Sequence, residues 1–143
     1  MIDKAKEFLY QVYVISNGCR TKEVDIKTIN DKAGFQEHES GKLHKLLVDD
    51  GYLEKVSAPL LTHKGIKYIE REYSEDPKIA TRKTERKQTH EAVKDELVKG
   101  PIRLKNGNVR YAFASELAKK LNKSIEFIEA DLQYWEDEGM IPN

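Results

Sequence analysis

Two neighbouring strings, Leu47-Val-Asp-Asp-Gly51-Tyr-Leu53 and Leu61-Thr-His-Lys-Gly65, lie at the centre of the first half of the chain. The first string ends a stretch with apolar residues at helical spacing, so a helix closed by a glycine is predicted over residues 37–50. Between the strings the period changes to that of two short strands, residues 52–56 and 60–62, which predicts a hairpin. The second string contains a threonine suited to capping a fourth helix.

Two further helices are predicted before this centre. Residues 3–16 carry one apolar stripe at three- and four-residue steps, and Asn17-Gly18 follows as a left-handed cap. A shorter helix is indicated by Asp25 as its N-cap and stops at Gly34. Residues 1–73 are therefore expected to form one domain of four helices and a hairpin.

The second half repeats this order over residues 84–143, after a polar linker at residues 74–83 that contains Pro77. Its hairpin is predicted to turn on Asn106-Gly107, a dipeptide typical of two-residue hairpin turns. The predicted elements are a helix at 84–99, a β-hairpin at 102–113, and helices at 115–121 and 124–138.

The composition restricts the class of protein. The chain has 143 residues, and 25 Lys and Arg balance 25 Asp and Glu, so any electrostatic recognition must come from a local patch. The single cysteine, Cys19, excludes an intrachain disulfide framework and a cysteine-built zinc site. No apolar run reaches the length of a membrane span, and the start lacks the apolar core of a signal peptide. A cytoplasmic protein without a membrane partner is expected.

The two central strings resemble those of winged-helix regulators of the MarR and PadR type. In those families the first string ends the recognition helix and enters the wing, and an LT-x-x-G string follows the wing. The resemblance covers residues 3–73, while Ser115–Asn122 with Trp135–Ile141 looks like a second, degenerate unit. It implies an α+β fold, mainly helical, made of tandem winged helix-turn-helix units that each carry a short β-hairpin. It also implies a DNA-binding transcription regulator.

The resemblance makes the 37–50 helix the recognition helix that enters the major groove. Such a helix needs donors for base edges and cations for phosphates. The candidate DNA-binding residues are Gln36, His38, Lys42 and Lys45 at this helix, Lys55 and Lys64 around the wing, and Arg103, Lys105 and Arg110 on the second hairpin. Residues 37–50 contain four acids and two lysines. The alternative to DNA contact is therefore that this side of the helix is only exposed to solvent. For the second hairpin, the alternative is that the arginines pair with acids of neighbouring helices or keep the hairpin soluble.

The 124–138 helix has the opposite character. It carries six acids and no Lys or Arg, so phosphate repulsion makes it a poor groove reader. Packing, or a contact with a protein partner through this acidic helix, is the better expectation. The alternative function is therefore a non-catalytic protein–protein interaction module of winged-helix type within a larger assembly, and a homodimer also stays open.

Signals for catalysis are weak. His38 and His44 are six residues apart, so on one helix they point to different faces and do not form a metal-binding pair. No nucleophile or phosphate-binding loop is indicated elsewhere. We expect no enzymatic activity, no metal and no cofactor.

Overall fold

The computed structural model describes residues 1–99 and 107–140, and the side chains of residues 1–96 and 112–140. The described residues form seven α-helices, which are α1 (Asp3–Ser16), α2 (Ile26–Ala33), α3 (Glu37–Asp49), α4 (His63–Glu72), α5 (Pro77–Lys99), α6 (Gly107–Leu121) and α7 (Ile125–Asp137). The chain divides into two compact units, Met1–Arg82 and Lys83–Asn143. Residues 77–83, assigned to a linker from the sequence, are helical and belong to α5.

The prediction of an α+β fold is wrong, because residues 1–99 and 107–140 contain no β-strand. In the first unit the expected hairpin is reduced to one antiparallel bridge between Leu53 and Leu61. The ladder stops there because the Val56 amide turns back to the Glu54 carbonyl at 2.9 Å. Pro59 has no amide hydrogen to donate, so it adds no further rung. A two-stranded segment this short is not a wing.

The second predicted hairpin is also contradicted. Residues 107–113 lie inside α6, while residues 102–106 are outside the described residues. Phe113, Leu117 and Ala118 are buried at helical spacing in the core of the second unit. Burial of this apolar face outweighs the local turn preference of Asn106-Gly107, since tertiary packing overrides short-range signals.

The helices predicted in the first half are confirmed to within a residue at each end. Helix α1 lies at the centre of this unit and buries one stripe. The core consists of Ala5, Phe8, Leu9, Val12, Tyr13, Cys19, Val24, Ile29, Leu43, Leu47, Leu53, Leu61, Ile66, Ile69 and Ile79. The Tyr13 hydroxyl donates a buried hydrogen bond of 2.7 Å to Glu70, which joins α1 to α4. These contacts hold α3 and α4 in place around α1.

The second unit packs α5, α6 and α7 around a separate apolar core. That core consists of Ala92, Val93, Phe113, Ala114, Leu117, Ala118, Phe127, Ile128 and Leu132. Polar contacts add to it, because the Thr89 hydroxyl donates to Asp131 at 2.7 Å and the Trp135 indole donates to the Arg86 carbonyl at 3.0 Å. The Arg86 guanidinium lies 3.9 Å from the ring centre of Tyr134. Helices α5 and α7 are therefore joined by specific polar contacts as well as by apolar packing.

Candidate nucleic-acid interface

A short turn joins α2 to α3. Asp25 caps the start of α2 by accepting from the Lys27 amide at 3.0 Å. Gly34 ends α2 with φ +75°, a conformation that favours glycine, and its amide donates to the Asn30 carbonyl at 2.8 Å. Only residues 34–36 separate the two helices. A turn of this length that contains glycine is typical of helix-turn-helix proteins.

The outward face of α3 carries three of the predicted DNA-binding residues. Ser40, Leu43 and Leu47 are its buried side. On the opposite side, steps of four, three and four residues align side chains that are all exposed, which are His38, Lys42, Lys45 and Asp49. We call these four residues the α3 face. Gln36 is exposed directly before the helix, and its side chain makes no capping hydrogen bond.

The α3 face is more positively charged than the count of charges over the whole helix suggests. Neither Lys42 nor Lys45 forms an ion pair with a described residue. Glu39 lies away from this face and pairs with Lys4 of α1, which lowers the pKa of Glu39. Within the face itself, two lysines therefore stand against Asp49 alone.

Gly41 borders the α3 face in the middle of the helix. A Cβ atom at this position would meet nothing within 4 Å, so packing does not require glycine here. Glycine in a helix interior costs about 0.5–1 kcal/mol relative to alanine. Gly41 also lines an open cleft of about 610 Å³ between α2 and α3, together with Asn30 and Ser40. The glycine leaves room for another molecule to approach the backbone of α3.

The remaining predicted residues are not brought to this face by any described contact. Lys55 is exposed in the loop that follows Leu53. Arg103 and Lys105 lie outside the described residues, and residue 110 belongs to α6. Arg110 therefore does not pair with Arg103 across a hairpin as the sequence suggested.

Helix α4 carries a basic cluster that sequence reasoning missed, apart from Lys64. Lys64, Lys67 and Arg71 are exposed and share the side of α4 opposite the buried Ile66 and Ile69. Two half-buried tyrosines, Tyr52 and Tyr68, lie beside them with ring centres 5.0 Å apart. We call Tyr52, Lys64, Lys67, Tyr68 and Arg71 the basic–aromatic patch. The three- and four-residue steps between its cations are the signal that could have revealed it.

The basic–aromatic patch adjoins the end of α3. The Lys64 ammonium donates to the Asp50 carbonyl at 2.7 Å, and Asp50 is the C-cap of α3. A lysine in this position satisfies a free carbonyl and complements the negative end of the helix dipole. The basic–aromatic patch is thus joined to the C-terminal end of α3.

The acidic surface expected on α7 is smaller than its sequence suggests. Asp131 is fully buried and accepts the hydrogen bond from Thr89, so it belongs to the core. Glu126 and Asp137 are exposed. The Tyr134 hydroxyl contacts Glu138 at 3.3 Å. Some of the acidic residues at α7 therefore make contacts within the second unit.

The histidines do not assemble a metal site. His38 is exposed, whereas His44 is half-buried with its ring centre 6.4 Å from that of Phe8, and burial lowers the pKa of His44. Across the part of the chain that the structure describes, no group of three or more His, Cys, Asp or Glu side chains could hold a metal ion. Among the described helices, none is both long and apolar enough to cross a lipid bilayer.

Comparison of the chain with family models, with curated proteins and with solved structures found no match. The assignment of function therefore depends on the geometry of the two basic surfaces.

Proposed function

We propose that this chain binds double-stranded DNA and regulates transcription, with α3 lying in the major groove. The observation that carries the proposal is the α3 face, which follows a three-residue turn and presents His38, Lys42 and Lys45 on one exposed side. A major groove about 12 Å wide admits an α-helix. This proposal needs no wing, and none is formed by the described residues.

The side chains of the α3 face suit two tasks. Lys42 and Lys45 have no ion-pair partner among the described residues, so their charges are available to phosphates. Gln36 and His38 lie at the start of the helix, where donors and acceptors reach base edges in helix-turn-helix proteins. Phosphate contacts supply affinity, and these two polar residues supply the discrimination between bases.

The position of Gly41 supports the same arrangement. Glycine at this exposed site costs helix stability and is not required by packing. Its role in the proposal is to let the DNA approach the helix backbone closely. The sugar–phosphate chain of a duplex that flanks α3 would approach on this side.

The test is a pair of alanine substitutions, Lys42→Ala with Lys45→Ala, measured by fluorescence anisotropy on a labelled duplex. Each lost phosphate contact lowers the slope of log K against log salt by about 0.9, so the double variant should lose about 1.8. The control is Lys94→Ala with Lys119→Ala, which removes two exposed cations of the second unit, of which Lys94 pairs with Glu91. An unchanged slope in the α3 variant would contradict the proposal.

The proposal places the protein in the cytoplasm in contact with cellular DNA and gives it no catalytic role. A homodimer would double the number of α3 helices available to a two-fold symmetric site. Sedimentation of the free protein and of its duplex complex measures which state binds.

A second candidate function is docking of a basic protein on α7. It is favoured by the exposed Glu126 and Asp137 and by the absence of Lys and Arg from residues 124–138. The two functions are separated by the duplex titration, because acidic α7 residues do not contribute to phosphate binding.

A further inference from the structure

The basic–aromatic patch is a second charged surface of the first unit, and it shares no residue with the α3 face. Its three cations are spaced along α4 so that Lys64, Lys67 and Arg71 share one exposed side. The opposite side is occupied by the buried Ile66 and Ile69. The charge is therefore concentrated on one side of a helix that is fixed to the core.

Lys64 and Arg71 are held in place by their neighbours. The Lys64 ammonium lies 4.5 Å from the ring centre of Tyr52 while it donates to Asp50. The Arg71 guanidinium lies 5.5 Å from the ring centre of Tyr68. Side chains that are already ordered lose less conformational entropy on binding, so such cations bind an anion at lower cost than free surface lysines.

At the Arg71 end of the patch, the described ion pairs contain more cations than carboxylates. The Glu72 carboxylate lies 3.6 Å from Arg71, but it is shared, because it also lies 3.5 Å from Lys6 of α1. One carboxylate thus faces two cations at this edge of the patch. Asp50 contributes its carbonyl oxygen to Lys64.

The arrangement of the rings indicates which nucleic acid fits. Proteins that bind single strands offer aromatic faces on which bases stack. Here cations lie against Tyr52 and Tyr68, and the two rings are tilted by 56° at 5.0 Å from each other. The patch therefore presents fixed positive charges, which suit phosphates. It does not present open ring faces on which bases could stack.

The position of the patch relates it to α3. At a rise of about 1.5 Å per residue, the C-cap Asp50, where Lys64 binds, lies about 12 Å along the axis from Lys42. This span is comparable to the width of the major groove, about 12 Å. A backbone strand bordering the groove that contains α3 can therefore reach the patch.

We propose that the basic–aromatic patch binds the phosphate backbone of a DNA duplex next to the groove that α3 occupies. The inference rests on the proposed function and adds a second set of contacts to it. Lys67 and Arg71 contact phosphates, whereas Lys64 also secures the end of α3.

The test compares Lys67→Ala with Arg71→Ala against the α3 variant Lys42→Ala with Lys45→Ala, using the full chain and a labelled mixed-sequence duplex. Lys64 is left in place because it contacts Asp50. Loss of two phosphate contacts should lower the salt slope by about 1.8 and weaken binding between roughly tenfold and 60-fold at 0.1 M salt. The variant Lys67→Arg leaves Arg71 against the Tyr68 ring, retains both charges and should bind within about threefold of the wild type.

The outcomes separate the two proposals. If the α3 variant loses affinity and the patch variant behaves like the Lys94→Ala with Lys119→Ala control, the patch proposal is overturned and the proposed function stands. If only the patch variant loses affinity, the patch binds phosphate and the assignment of α3 is wrong. No binding by the wild type at low salt overturns both. Stronger competition by single-stranded DNA than by duplex, lost in the patch variant, would overturn the duplex assignment. Thermal unfolding of each variant checks that it folds.

Discussion

Gly65 at the start of α4 packs directly against the carbonyl oxygen of Tyr52, so closely that a Cβ atom at residue 65 would overlap that oxygen. Thr62 reinforces the contact, because its hydroxyl oxygen accepts from the Gly65 amide at 3.0 Å while the hydroxyl donates to the Gly51 carbonyl at 2.7 Å. The end of α3 and the start of α4 are thus joined through two glycines and a threonine. This connection places the basic–aromatic patch beside α3.

Gly65→Ala is expected to destabilise the first unit by about 3 kcal/mol, because the atom it would overlap belongs to the backbone and cannot rotate away. Urea denaturation of the full chain measures the change. A variant whose free energy of unfolding stays within about 0.5 kcal/mol of the wild type would show that α4 moves freely relative to Tyr52.

Gly41→Ala should have opposite effects on stability and on binding. At this open helical site alanine should stabilise the chain by about 0.5–1 kcal/mol. If the duplex approaches the backbone of α3 here, the added methyl group should weaken binding by about 1 kcal/mol, roughly fivefold. The same duplex titration measures it, and tighter or unchanged binding would remove Gly41 from the interface.

Tyr10→Phe tests a hydrogen bond whose strength depends on pH. The Tyr10 hydroxyl donates to Asp76 at 2.6 Å, which raises the pKa of Tyr10 to about 12 and lowers the pKa of Asp76 below its ordinary value of 3.8. The bond is only partly buried, so its removal should cost about 1 kcal/mol at neutral pH.

The signs of these pKa shifts set the pH window. Asp76 contributes stability above about pH 4, and this contribution is lost as the pH falls through the lowered pKa of the folded state. Tyr10 contributes below about pH 10, and its contribution is lost as the pH rises towards 12. The difference between wild type and Tyr10→Phe should therefore shrink at both extremes. A difference that is constant from pH 3 to pH 11 would contradict this account.

Thr89→Val should destabilise the second unit. It removes a donor from the fully buried Asp131 at nearly constant side-chain volume, and a buried carboxylate that loses a hydrogen bond costs about 2–3 kcal/mol. Thr84→Val on the exposed side of the same helix is the matched control and should change little. Equal unfolding temperatures for the two variants would show that the bond from Thr89 to Asp131 is not important for stability.

The helices of the first unit were predictable because each of them carries local end signals. Asn17, Gly34 and Gly51 adopt left-handed conformations at or just after helix ends, and Thr62 caps α4 as its side chain suggested. Such signals depend only on neighbouring residues, so a sequence is sufficient to locate them.

The hairpins failed for a different reason. The alternation that ends at Phe113 fits a strand as well as it fits one side of a helix, and the choice was made by burial against α5 and α7. In the first unit, the length of the paired segment was limited by Pro59 and by the turn at Val56. Contacts distant in sequence decided the second-unit case, and local periodicity carries no information about them.

The two basic surfaces differ in the same way. The α3 face follows from spacing within one helix, so the sequence could predict that His38, Lys42 and Lys45 lie on one exposed side, and their role in DNA binding stays a prediction. The basic–aromatic patch needs Tyr52 from the loop after α3 beside Lys64 and Tyr68 of α4, and only the folded chain brings them together.

The most direct test of the account is the anisotropy of a labelled mixed-sequence duplex titrated with the purified wild-type chain across a salt series. Phosphate binding by the α3 face and the patch predicts association at low salt that weakens steeply as salt rises, with a slope of at least about 3 for four lysine and arginine contacts. No association at low salt would contradict the claim that this chain binds DNA.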